Sequence, residues 1–91
     1  MIMAKTRIEE LVEILSGHID VSKLTVGTER LYIPVTDCVD IIVEMFGPMY
    51  DVWIQNHDEG EGCTVARTDD RFNVASFVVS VFKMNGRGTN G

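Results

Sequence analysis

Ile8, Leu11, Val12 and Leu15 recur at the spacing of one helical face. The segment that holds them, "TRIEELVEILSG", also carries its own boundaries. Thr6 with Glu9 three residues later is the pattern of a capping box, and Gly17 supplies a left-handed stop. An amphipathic helix is predicted. The next segment, "KLTVGTERLYIPV", alternates instead: Leu24 and Val26 precede Gly27, and Leu31 and Ile33 follow it, as in a β-hairpin.

"TDCVDIIVEMFGP" reads as a second helix. Thr36 or Asp37 caps it, Val39, Ile42, Val43 and Phe46 share a face, and Gly47 with Pro48 closes it. "YDVWIQ" and "GCTVAR" then read as a second hairpin, joined largely by the octet "NHDEGEGC", residues 56–63. The last segment, "FNVASFVVSVFKM", is rich in β-branched and aromatic residues, as strands are. Yet Val74, Phe77, Val78 and Val81 keep helical spacing, and Asn73, Ser76, Ser80 and Lys83 keep it on the opposite side. Thr68, Asp69 and Asp70 offer a cap and the negative charge that a helix start prefers. Periodicity therefore predicts a helix over 72–84, with a strand as the alternative.

The expected fold is α+β, in the order α-ββ-α-ββ-α, with a small four-stranded antiparallel sheet covered by helices. The repeated sequence of hairpin, Thr-Asp and helix, with Thr36 and Thr68 as matching points, suggests two ββα units. Residues 1–84 are expected to form one domain and 85–91 a flexible tail, since 91 residues leave no room for a second core.

Composition narrows the function classes. A hydrophobic fraction of 45% argues for a packed core. Fourteen acids against eight bases give a formal charge of −6, and the bases are scattered from Lys5 to Arg87 without a run. That balance repels phosphate backbones, so direct nucleic-acid binding is disfavoured and a protein with a basic surface is the expected partner. No apolar stretch approaches the ~20 residues of a membrane span, and Glu9, Glu10 and Glu13 stand where a secretory signal would be apolar. Cys38 and Cys63 read as free thiols, and the expected location is the cytoplasm, of the cell itself or of an infected host.

The octet concentrates the potentially reactive groups. Counted from Asn56 as a calcium loop, the fifth, sixth and twelfth positions are Gly60, Glu61 and Arg67, where such a loop needs oxygen, Gly and Glu. No C-x-x-C or H-x₃₋₅-H offers a zinc site. His57 with Cys63 would give a thiolate–imidazolium pair but lacks an orienting third group. A solvated hairpin loop turned by Gly60 and Gly62 accounts for the run. Nucleotide-binding, metalloprotease and hydrolase motifs are also missing. No catalytic residue, metal or cofactor is expected, and a small metal- or thiol-dependent enzyme centred on His57 and Cys63 is the minor alternative.

Two surfaces remain. The predicted second helix stacks Asp37, Asp40 and Glu44 at i, i+3, i+7, and the first adds Glu9 and Glu13 at i, i+4. These are either solvated faces or an acidic contact strip for a Lys/Arg-rich partner. "MFGPMYDVW" gathers Met45, Phe46, Met49, Tyr50 and Trp53 around a turn, with Met49 and Tyr50 predicted to be exposed interface anchors. That second surface suits a self-associating assembly protein, so a homodimer is the alternative. In size, charge and missing catalytic motifs, the chain resembles small acidic inhibitors encoded by phages, including some anti-CRISPR proteins. The resemblance implies an inhibitor that offers carboxylates to a basic nucleic-acid-handling partner.

Overall fold

In the computed structural model, residues 5–58 and 60–86 are described. Helix α1 spans Arg7–Leu15, and five strands follow: β1 (Thr25–Val26), β2 (Arg30–Pro34), β3 (Val39–Phe46), β4 (Met49–Asn56) and β5 (Glu61–Thr68). Helix α2, Arg71–Met84, ends the series. The strands form one antiparallel sheet in the order β1-β2-β3-β4-β5, a meander in which each strand pairs with its sequence neighbours.

The α+β class holds, but the sheet has five strands and the segment 36–46 is not helical. Val39, Ile41, Ile42 and Val43 are β-branched, so a helix would restrict each χ1 while a pleated strand accommodates them. Gly47, at φ +60°, begins the tight turn to Pro48. Only a residue tolerant of positive φ suits the first central position of such a hairpin turn. The turn folds β4 straight back, with Phe46 and Met49 as the terminal pair of an eight-rung ladder. With no helix between the hairpins, the proposed pair of ββα units does not exist. Thr36 instead closes the β2–β3 turn, its hydroxyl accepting from the backbone N–H groups of Cys38 (3.2 Å) and Val39 (3.1 Å).

Both remaining helices form where their patterns place them, although α1 ends on Ser16 in the right-handed region (φ −60°) and Gly17 is not the left-handed stop expected. Glu9 N–H donates to the Thr6 hydroxyl at 3.1 Å, and Thr6 N–H donates to the Glu9 carboxylate at 3.0 Å, completing the capping box of α1. Asp70 rather than Thr68 caps α2, accepting from Phe72 N–H at 2.9 Å. Val74, Val78 and Val81 are buried, whereas Asn73, Ser76, Ser80 and Lys83 are exposed, as helical periodicity requires. The tail assigned to 85–91 lies outside the described residues from 87 onward.

Both helices lie on one face of the sheet. Leu31 and Ile33 of β2, Ile41 and Val43 of β3, and Tyr50 and Val52 of β4 share that face by register and by burial. They pack with Ile8, Leu11 and Leu15 of α1 and with Val74, Val78 and Phe82 of α2. Each such side chain contributes roughly 1.5–3 kcal/mol by leaving water. Tyr50 belongs to this core and is fully buried, which corrects its expected exposure. Its position in β4 fixes the outcome: it pairs with Met45 on the helix-covered side, and its hydroxyl donates to the Arg7 carbonyl at 2.8 Å. Among the described residues, no helix is long and apolar enough to cross a membrane.

Candidate interaction surface

Among the described residues, the opposite face of the sheet carries no helix. Strand alternation sends Tyr32, Ile42, Trp53 and Thr64 to that face, and the register sets them side by side across β2, β3, β4 and β5. Ile42 is only 8% exposed although, among the described residues, no other element covers it; Tyr32 and Trp53 flank it. Trp53 is 36% exposed. Sequence reading missed this rung because it took 36–46 as helix. The signal was one large apolar residue on the outward side of each strand: Ile42 on β3 and Trp53 on β4, each between charged or polar outward neighbours, and Tyr32 on β2 beside Arg30.

The adjacent rung is charged: Arg30, Glu44, Asp51 and Arg67 follow one another across the same four strands. Arg30 pairs with Glu44 at 3.1 Å. Asp51, nearly buried, accepts from the Trp53 indole N–H at 2.9 Å and from Arg67 Nε at 3.4 Å. The Arg67 guanidinium also lies 4.9 Å over the Phe46 ring, which is 65% exposed. Asp51 therefore holds both Trp53 and Arg67 in place. Met49, half-buried, pairs with Phe46 at the end of the ladder.

A meander brings alternate turns to the same end of the sheet, so the β2–β3 and β4–β5 connections meet. His57 N–H donates to the Cys38 carbonyl at 2.7 Å, and His57 Nε2 lies 2.6 Å from the Asp40 carboxylate. The Asp58 carboxylate accepts from the Cys38 thiol and, with its charge, pushes that thiol above its ordinary pKa. Asp37 is exposed in the same region. This end is acidic through Asp37, Asp40 and Asp58.

The octet is thus a hairpin connection, with Asn56 Oδ1 accepting from Asp58 N–H at 3.0 Å and Gly60 at φ +67°. Glu59 lies outside the described residues. Cys63 stands opposite Ile54 on β5, and His57 pairs with Asp40 of β3 rather than with Cys63. Among the described residues, no group of three or more His, Cys, Asp or Glu is placed to hold a metal ion.

The predicted acidic strip is partly dissolved. Without a helix at 36–46, Asp37 is out of line, while Asp40 and Glu44 share the open face with Ile42 between them. Their carboxylates meet His57 and Arg30 respectively. Glu9 and Glu13 are on α1, behind the sheet. Glu9 sits in the capping box, whose hydrogen bonds lower its pKa, and Glu13 pairs with Lys5. The five carboxylates do not form one surface. No protein-family model, curated protein or solved structure matches the chain.

Proposed function

We propose that the chain is a small acidic protein-binding module whose contact surface is the open face of its sheet. The observation that carries this reading is the Tyr32–Ile42–Trp53 rung, which no element among the described residues covers and which paired charges border. Protein interfaces concentrate binding energy in a few aromatic anchors surrounded by a polar rim. Here the anchors stand on paired strands, and the Asp51 carboxylate fixes the Trp53 indole. Little side-chain freedom is left to lose on docking, which favours affinity.

The partner's charge follows from the excess of acids. A net charge of −6 and the acidic end formed by Asp37, Asp40 and Asp58 favour a protein with a basic surface, chiefly through the association rate. An aromatic sheet face also suits stacking of single-stranded bases. Against that, Arg30 and Arg67 are neutralised by Glu44 and Asp51, so among the described residues this face offers phosphates no free cation. A basic nucleic-acid-handling protein fits better than the nucleic acid itself, and covering its basic surface would inhibit it.

Trp53 is the chain's single tryptophan, so its emission reports on this face directly. The test compares affinity capture from the source cells by the parent and by a Tyr32→Ser/Trp53→Thr variant with an unchanged circular dichroism spectrum. A basic protein held by the parent should bind the variant at least ~30-fold more weakly, since interface hot spots are worth ~2 kcal/mol or more each. Binding should shift Trp53 emission in the parent. Equal capture by both proteins refutes the assignment.

A further inference from the structure

On the far side of the molecule, α1 and α2 leave an open groove of about 510 Å³ between them. Ile14, Ala75 and Val79 give it apolar lining, and Ser76, Ser80 and Gly17 keep it shallow in bulk. The two helices run in the same direction. Arg7, at the start of α1, donates to the Asp69 carbonyl just before α2, and Glu10 pairs with Arg71 at 3.7 Å. The groove therefore has a defined polarity.

Its two ends differ in charge. Glu10 and Glu13, the latter from the last turn of α1, lie beside Arg71 and Phe72, and Asp69 and Asp70 precede α2; the cations at this end, among the described residues, are Lys5, Arg7 and Arg71. At the other end, Lys83 and His18 line the groove and make no ion pair among the described residues. Phe72 stands at the acidic end, 58% exposed, with the Arg71 guanidinium 5.1 Å from its ring. One surface thus carries a projecting aromatic and an acidic end on one side, and an open, basic, glycine-containing end on the other.

We propose that this groove is the interface of a twofold homodimer in which the α2 helices of two copies pack antiparallel. A twofold axis through the middle of α2 sets Phe72 of each copy against Lys83 of the other, beside Gly17 and His18. The missing Gly17 side chain leaves room for the ring, and the Lys83 stem and ammonium can cover it. Ala75 and Ser76 then face Val79 and Ser80, small enough for close helix approach. The same axis lays each acidic end over the other copy's basic end, so the charges are self-complementary, as an isologous contact requires. Two short helices offer a small footprint. At ~1.5 Å per residue α2 is only about 21 Å long, which places the contact at the low end of interface sizes and makes the dimer weak and concentration-dependent. Both open sheet faces stay free in this arrangement, so dimerisation and partner binding are separable.

Sedimentation velocity of the purified chain from low micromolar to millimolar concentration tests this directly. The parent should shift from monomer to dimer across that range, and added salt should move the transition upward. Ser76→Arg, an exposed helical change, should remain monomeric throughout while keeping its circular dichroism spectrum. Lys83→Glu and Glu13→Lys should each be monomeric alone, yet an equimolar mixture should form a heterodimer, because both contacts then pair opposite charges. A parent that stays monomeric at millimolar concentration overturns the proposal. So does a dimer that Ser76→Arg leaves intact, or two charge variants that fail to associate when mixed.

Discussion

Tyr50→Phe removes one hydroxyl and almost nothing else. The ring is fully buried, and its packing against the core and the Arg7 guanidinium 5.0 Å away would persist. What is lost is the hydrogen bond to the Arg7 carbonyl at 2.8 Å, which ties α1 to β4. A neutral bond of this kind contributes ~0.5–1.5 kcal/mol net. For a domain of this size, a loss of about 1 kcal/mol lowers Tm by roughly 4–8 °C. The same residue has an alkaline signature. Burial raises the phenol pKa, a shift that Arg7 partly offsets. The folded protein therefore keeps its proton after the unfolded chain has released it at about pH 10. Between those two values the folded state binds more protons, so stability is intact below the unfolded pKa and falls as pH rises through it. The variant lacks this contribution. Thermal unfolding followed by circular dichroism should show a constant Tm gap up to neutral and mildly alkaline pH, and a gap that closes above about pH 10. Equal Tm at neutral pH, or curves that stay parallel through the alkaline range, would refute the reasoning.

Four further outcomes test the helix face and the turn cluster. Val78→Pro should unfold the protein, since it removes a helix bond and clashes with the preceding turn at ~3 kcal/mol or more. Ser80→Ala, which loses only a bond to the Ser76 carbonyl on the exposed side, should stay within ~0.5 kcal/mol of the parent by urea titration. In a Cys63→Ser background, Asp58→Asn should speed iodoacetamide alkylation of Cys38 at mildly alkaline pH. The carboxylate that raises the thiol's pKa is then gone, and more of the thiol is ionised. Asp37→Asn should have a smaller effect in the same direction.

Where one local pattern pointed clearly to one element, the sequence was enough to read it. Thr6 and Glu9 mark the start of α1 before any tertiary contact is considered, and the periodicity of Val74, Val78 and Val81 outweighs β-branching in α2. Segment 39–46 satisfies both periods at once, because Ile41, Ile42 and Val43 are consecutive: 39, 42, 43, 46 fits a helix and 39, 41, 43, 45 fits a strand. What decides between them is tertiary. A central strand flanked by β2 and β4 buries Ile42 on the open face as well as Ile41 and Val43 on the covered one. The candidate surface was less legible still, since Tyr32, Ile42 and Trp53 become neighbours only through register, and sequence distance hides it. Tyr50 was misplaced for the same reason: one position along the strand decides which face a side chain takes.

The pairing of α1 with α2 has a kinetic consequence. Every strand pairs with its immediate neighbour, so the sheet can zip locally, hairpin by hairpin, with only short loops to close. The helices that seal it come from the first and last described elements, and the bond from Arg7 to Asp69 spans nearly all the chain between them. During synthesis α1 and the strands leave the ribosome before α2 can help cover the sheet. Until then, the apolar side formed by Leu31, Ile41, Val43 and Val52 is only partly sheltered. The interval between completion of β5 and release of the last turn of α2 therefore leaves this apolar side open to aggregation.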